Sequence, residues 1–436
     1  MFFSFKTPNK SHGLSMTLAI CFLAISPLMG FLAISFAAEP TSLTSSGWNQ
    51  WRGPARDGTT KACPWPDEFA DSLQLVWEHP HSPSYSGPVV LGGMVYTTET
   101  IDKTTEQVTA YRMKDGSKEW SVQWPGAMAV PFFAASNGDW IRSTPIVVDG
   151  SLIIFGMRDV LVCLDPETGE ERWRVDFPKV MGTPLQQFGA VCSPLIDGDA
   201  VYVQTGGALV KVALPDGSIV WRSLQNKVGT TNDGAFSSPA IGTLDGTRQL
   251  IVQTREELCG VSLTDGTVLW TQPIEAFRGM NILTPLLVGN SVFTAAHSGK
   301  SQMFNIAKDE NGKWEVTEKW VQKTQGYMSS PVVIDDLIYL HMKNQRLTAL
   351  DAEDGTIRWT SSPFGKYWSM IVCGRRILAL DQTGELLLIE ANPTKLEIVD
   401  RTSVGNDTWA HLAVDGEYLI VRDLAALKVY LWKKKS

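Results

Sequence analysis

The sequence predicts an all-β chain, an eight-bladed β-propeller of four-stranded antiparallel blades closed by an N-terminal strand. Three observations carry this expectation. A glycine followed four residues later by a tryptophan recurs at Gly116/Trp120, Gly169/Trp173, Gly217/Trp221, Gly266/Trp270 and Gly355/Trp359. A small residue followed by proline recurs at Gly87-Pro88, Thr144-Pro145, Ser193-Pro194, Ser238-Pro239, Thr284-Pro285 and Ser330-Pro331. Prolines 145, 194, 239, 285 and 331 lie 49, 45, 46 and 46 residues apart, a period that suits one propeller blade.

Each unit reads in the same order. Proline donates no ladder hydrogen bond, so it fits the first residue of a strand. An apolar run follows it, then a turn such as Asp197-Gly198 or Asp335-Asp336, then strands such as Leu152–Gly156, Ala200–Gln204 and Leu337–His341. A third strand ends in the turn that carries the glycine, where a positive φ is expected, and the fourth carries the tryptophan. Trp368 to Val399 reads as a seventh blade without a closing tryptophan, and Trp409 to Trp432 supplies three strands of an eighth. Leu75-Val76-Trp77 has no blade in front of it, so residues 39–78 are expected to complete the eighth blade and remove an open edge. Trp77, Trp120, Trp173, Trp221, Trp270 and Trp359 are expected to lie between adjacent blades, each N–H finding a backbone acceptor.

The phrases Cys163–Trp173 and Ala349–Trp359 resemble the Ala-x-Asp-x-x-Thr-Gly-x-x-x-Trp docking motif of the PQQ-like (quinoprotein) β-propellers. Cys163 replaces the leading Ala, Asp354 replaces Thr, and Ala110–Trp120 departs further with Arg112 and Asp115. The copies at Ala213–Trp221 and Ser262–Trp270 read as two residues shorter in the turn. The resemblance spans Trp48 to Trp432. It implies either a PQQ-dependent alcohol or sugar dehydrogenase or a non-catalytic relative, such as the lipoprotein subunit of the outer-membrane β-barrel assembly machine; fold alone does not choose.

The first residues read as an export signal: Lys6 and Lys10, an apolar stretch from Leu14 to Phe36, and small residues for cleavage at Ala37 and Ala38. The stretch is long enough for an uncleaved anchor, but Pro27, Gly30 and the Ala-rich end favour cleavage after residue 38, with one propeller domain over 39–436. Ile20 before Cys21 argues against lipidation. The expected address is periplasmic or secreted. The chain carries a net charge of −8, which argues against nucleic acid and against anionic lipid except through an uncleaved anchor. The Lys433–Lys435 tail reads as a solvated end. Cysteines 63, 163, 192, 259 and 373 show no C-x-x-C spacing, which indicates neither zinc nor a dense disulfide framework.

No catalytic or metal set emerges. His79 and His81 flank Pro80 without a third ligand, and Glu256-Glu257 and Asn232-Asp233 lack motif context. The large alcohol-oxidising quinoproteins are similar to one another in having adjacent cysteines beside the cofactor, which this chain lacks. The expectation is therefore a monomeric binding or scaffolding protein with no cofactor, PQQ and calcium belonging to the dehydrogenase alternative. Segments leading into the innermost strands place Arg142, Phe236, Asn281, Tyr327, Trp368 and Trp409 near the funnel. These are candidate contacts for an envelope protein, a peptide or a glycan. The long connector 121–141, with Trp124, Phe132, Phe133 and Trp140, is expected to pack as a lid or meet a partner.

Overall fold

In the computed structural model, which describes residues 47–61, 65–148, 150–225 and 234–433, thirty-two strands form eight separate four-stranded sheets. The expected signal segment, Cys21, Cys63 and Asn232-Asp233 lie outside the described residues. Seven blades take their strands in chain order. The eighth is ordered Leu73–Pro80, Ala426–Trp432, Tyr418–Arg422, Ala413–Asp415, so the N-terminal strand closes the ring as expected and no blade ends on an unpaired edge at the seam.

Burial follows position in the blade. Second strands such as Ser151–Gly156 and Ala200–Gln204 are buried throughout, because a neighbouring blade covers each face. Fourth strands such as Glu171–Asp176 and Ile357–Pro363 alternate towards solvent. This explains why apolar runs such as Leu152–Phe155 and Leu386–Ile389 are nearly continuous and the tryptophan-bearing runs are not.

A β-bulge recurs in the third–fourth strand pairing of the first seven blades and between the closing strand and Ala426–Trp432 in the eighth. It leaves one residue unpaired just before the tryptophan position. A bulge sharpens twist and redirects the next side chain; here it lays the ring on the following blade. The rings of Trp77, Trp120, Trp173, Trp221 and Trp320 cover Gly116, Gly169, Gly217, Gly266 and Gly355, whose φ of 73–76° admits no ordinary side chain without strain. A Cβ on Gly116 would stand 2.8 Å from the Trp77 ring. The indole N–H groups of Trp77, Trp120, Trp173, Trp320 and Trp359 donate to Met113, Pro166, Leu214, Ala352 and Asn392 carbonyls at 2.7–3.0 Å.

Three details correct the sequence reading. Trp270 donates to the Gln249 side chain at 2.7 Å rather than to backbone, and Trp221 Nε1 is buried with no hydrogen-bond partner among the described residues. The docking tryptophan of the fifth blade is Trp320, missed because its hairpin turn is longer. The two copies read as shorter close the same turn: Gly217 and Gly266 N–H donate to carbonyls four residues back, as Gly169 does. In the seventh blade the tryptophan position is held by Asp400, which pairs with Leu388 beside the bulge and accepts from Phe69 N–H at 2.5 Å.

The small residues before the prolines form a ring of their own. Gly87 N–H donates to Thr144 Oγ1 at 3.1 Å, Thr144 N–H to Ser193 Oγ at 3.0 Å, Ser193 N–H to Ser238 Oγ at 2.9 Å and Thr284 N–H to Ser330 Oγ at 3.1 Å. A hydroxyl at this position thus accepts from the backbone N–H of the equivalent residue in the preceding blade. Cys163, Cys192 and Cys259 are buried free thiols, whereas Cys373 is disulfide-bonded.

Candidate functional site

Residues 47–60 occupy the propeller axis and touch all eight innermost strands or the residues leading into them. Trp48 carbonyl accepts from Val90 N–H at 2.9 Å, and Asn49 exchanges two hydrogen bonds with Val147. The Arg56 guanidinium donates to the carbonyls of Ser193, Pro194 and Pro239 at 2.8–3.1 Å and to Gln50. Arg52 donates to Pro331 and Asp57 carbonyls. Trp51 Nε1 donates to Thr284 Oγ1 at 2.9 Å, Thr60 and Gly58 bracket Val372, and the Trp51 ring meets His411 at 4.1 Å. Burial lowers Arg56 to about 9 and Arg52 to about 10, so both remain cations at neutral pH with backbone carbonyls as acceptors. Sequence reasoning placed this segment in the closing blade; only Leu73–Pro80 goes there. The density of Trp, Arg, Gly and Pro in Trp48–Gly58 was the available signal.

Above this plug lies a cavity of about 540 Å³, floored by Trp51 and His411, within the usual size range of ligand sites. Burial first, then the Arg52 charge, push His411 down to about 3, so the floor is a neutral imidazole. Each inter-blade connector contributes a ring to a belt around the mouth. Tyr85 stacks on Trp409 with centroids 4.4 Å apart, Trp409 meets Tyr367 at 3.7 Å, Tyr367 faces Tyr327 at 6.0 Å, and Tyr327 meets His297 at 4.9 Å. His297 contacts Phe277 at 5.7 Å, while Phe133, Phe188 and Phe236 continue the belt at 6.2 and 5.7 Å. Arg278 lies 5.2 Å from the Phe277 ring and 5.9 Å from Phe133, bridging the two arcs; Arg142 sits 5.7 Å from Tyr85 and Arg255 4.9 Å from Phe236.

Of the six residues expected from the sequence to stand near the funnel, Arg142, Phe236, Trp368 and Trp409 line the cavity wall. Tyr327 stands in the belt behind it. Asn281 does not reach it: the side chain is fully buried and its amide donates to the Arg255 and Ile274 carbonyls at 3.0 and 3.2 Å. The neighbouring Ile282 lines the wall instead. A simpler signal was available, because the residue three before each proline, namely Tyr85, Arg142, Val191, Phe236, Ile282 and Met328, lines the cavity in six repeats. The 121–141 connector is shorter than expected, since its strand continues to Pro125 and Trp124 is buried on Glu106. Its 3₁₀ turn Phe132–Asn137 buries Ala134, sends Phe133 into the wall and leaves Phe132 91% exposed.

Chemically the wall is a set of donors and rings. Among the described residues it includes Arg142, Arg255 and Arg278 and no Asp or Glu, whereas calcium demands several oxygen ligands, normally carboxylates. The donor set therefore does not fit a calcium-bound quinone. Among the described residues no three His, Cys, Asp or Glu side chains are grouped to hold a metal. Ser329 Oγ approaches His341 Nδ1 at 3.3 Å, but it already accepts from Trp368 N–H. Burial holds His341 at about 4 despite Asp381 nearby, so its imidazole is a weak base for activating a serine near neutral pH.

A ring of bulge-docked tryptophans around a plugged axis defines a PQQ-like β-propeller. The family model described as outer membrane protein assembly factor BamB matches residues 134–361, over half of the chain, and the chain belongs to that family. BamB of Moranella endobia (strain PCIT) is 26% identical over 284 residues, covering 60% of this chain and 68% of that protein. The chain spans from half to about two-thirds of the length of the curated relatives it matches. Among solved structures, BamB from Moraxella catarrhalis superposes with a TM-score of 0.59 at 17% identity, covering 83% of this chain and 100% of that one. Quinohemoprotein alcohol dehydrogenase from Comamonas testosteroni gives 0.62 at 13% identity, covering 89% and 81%. At these identities the structural likeness shows the fold alone.

Proposed function

We propose that this protein is an exported, non-catalytic scaffold of the cell envelope that holds a partner protein at the funnel mouth. The observation that carries this reading is the rim. Phe132, Phe133 and Phe277 are 91%, 55% and 50% exposed and stand together with Arg278 on one face. Clustered exposed aromatics with an arginine are residue types enriched at protein–protein interfaces. Membership of a family described as an outer membrane assembly factor supports an envelope role, and the lack of a carboxylate among the described wall residues disfavours the calcium-quinone dehydrogenase.

The test places a photo-crosslinking phenylalanine analogue at position 132 and, as a control, at exposed Val268 on a fourth strand. A defined envelope protein joined from position 132 and not from 268 is the expected result. Equal labelling from both positions, or turnover of a primary alcohol or aldose after loading with PQQ and calcium, would overturn the reading.

A further inference from the structure

Several arginines on the rest of the surface have carboxylate partners. Arg172, Arg174, Arg248, Arg358, Arg375 and Arg376 each pair with a carboxylate. Those of the funnel differ. Arg142 and Arg278 make no ion pair among the described residues, and Arg142 gives one hydrogen bond, to the Gly138 carbonyl at 2.5 Å. Arg142 Nε and Trp368 Nε1 are buried and have no hydrogen-bond partner among the described residues. Both are donors. A buried donor without an acceptor costs free energy, so these groups select for a ligand that brings acceptor oxygens, and guanidinium geometry favours a carboxylate.

The rest of the wall dictates the remainder of the ligand. Tyr85, Phe188, Phe236, Tyr367 and Trp409 present ring surface around a cavity of about 540 Å³. Sugar hydroxyls donate as well as accept, and among the described residues the wall has no carboxylate to take their protons. An apolar, ring-bearing body satisfies the walls, and its acidic end satisfies the arginines. We propose that the funnel binds a carboxylate carried on an aromatic or apolar body, the form presented by the C-terminal residue of an extended peptide or by a free aromatic acid. This rests on reading the funnel mouth as the partner-holding face.

The test is calorimetric titration of the full chain, with indole fluorescence as a second readout, using three probes: acetyl-Ala-Val-Phe with a free carboxylate, the same peptide as its C-terminal amide, and 3-phenylpropionate. The acid peptide is expected to bind at least about ten-fold more tightly than the amide, the scale of one charge-assisted hydrogen bond. Arg142→Gln and Arg278→Gln should each weaken it by a similar factor. The exposed Arg278 variant keeps the test valid if the Arg142 variant misfolds. Tighter binding of 3-phenylpropionate would assign the site to free acids, and binding of the acid peptide alone would assign it to peptide ends. Equal affinity for acid and amide, no binding of either acid at millimolar concentration, or affinities unmoved by Arg278→Gln would overturn the inference. Crosslinking from position 132 reports separately, so loss of acid binding with crosslinking intact removes this inference and leaves the scaffold reading standing.

Discussion

The plug on the propeller axis and the funnel wall above it both carry arginines, yet they treat them oppositely. Arg52 and Arg56 point into rings of carbonyls that the repeat's prolines and serines present. Arg142 and Arg278, on the wall above, meet rings and one carbonyl. A buried cation surrounded by its own backbone acceptors holds a fold together, because removing it orphans every acceptor at once. A cation left facing rings and space does not carry that burden and remains available to a ligand. The difference separates a fold-stabilising role from the proposed binding role within one molecule.

The largest test of that division is Arg56→Ala. It leaves the carbonyls of Ser193, Pro194 and Pro239 and the Gln50 side chain without their donor, and should cost about 5 kcal/mol. Arg278→Ala should change stability by less than about 0.5 kcal/mol, as surface substitutions usually do. Urea unfolding of the two variants side by side checks this. Equal midpoints would erase the distinction between plug and wall.

Next in size is Trp320→Ala, which sharpens the boundary between sealed blades and open funnel. Trp320 is 7% exposed, covers Gly355 and donates to Ala352, so its loss should cost roughly 3–5 kcal/mol. Binding at the funnel should survive in the folded fraction. If acid binding vanished at unchanged melting temperature, the blade interface and the funnel would not be separable in this way.

Much of this architecture was legible because it repeats. Five glycine–tryptophan pairs and six prolines share one local geometry, and a feature copied at fixed period is read from sequence without knowing any distant contact. Trp320 escaped because the turn Asp309–Lys313 lengthens its hairpin and sets Gly312 eight residues ahead of the ring. The plug escaped for a deeper reason. Residues 47–60 have no strand period, and Arg56 finds its carbonyl acceptors 137 to 183 residues away, a pairing no local pattern encodes. At the site, aromatic residues on the connectors were visible, but Asn281 and Ile282 could not be told apart by type. Which side chain of such a pair faces the cavity depends on backbone acceptors, here Arg255 and Ile274, that only the fold supplies.

His341 marks the depth at which the open region ends. It lies behind the wall, 1% exposed, stacked on Trp368 at 5.1 Å, and burial lowers it from 6.5 to about 4 while Asp381 opposes the shift. A depressed histidine favours the neutral form in the folded state. Its contribution is therefore complete above the unfolded value of 6.5 and is lost as pH falls towards 4, because the unfolded chain takes up the proton first. The full shift corresponds to on the order of 3 kcal/mol. Comparing the parent with His341→Gln, the parent should lose more stability between pH 6.5 and 4, and the two curves should run parallel above pH 7. A water-filled wall would let the imidazole titrate near its ordinary value. Parallel curves down to pH 4 would then show that the open region extends past Trp368 and that the sealed layer begins further from the axis.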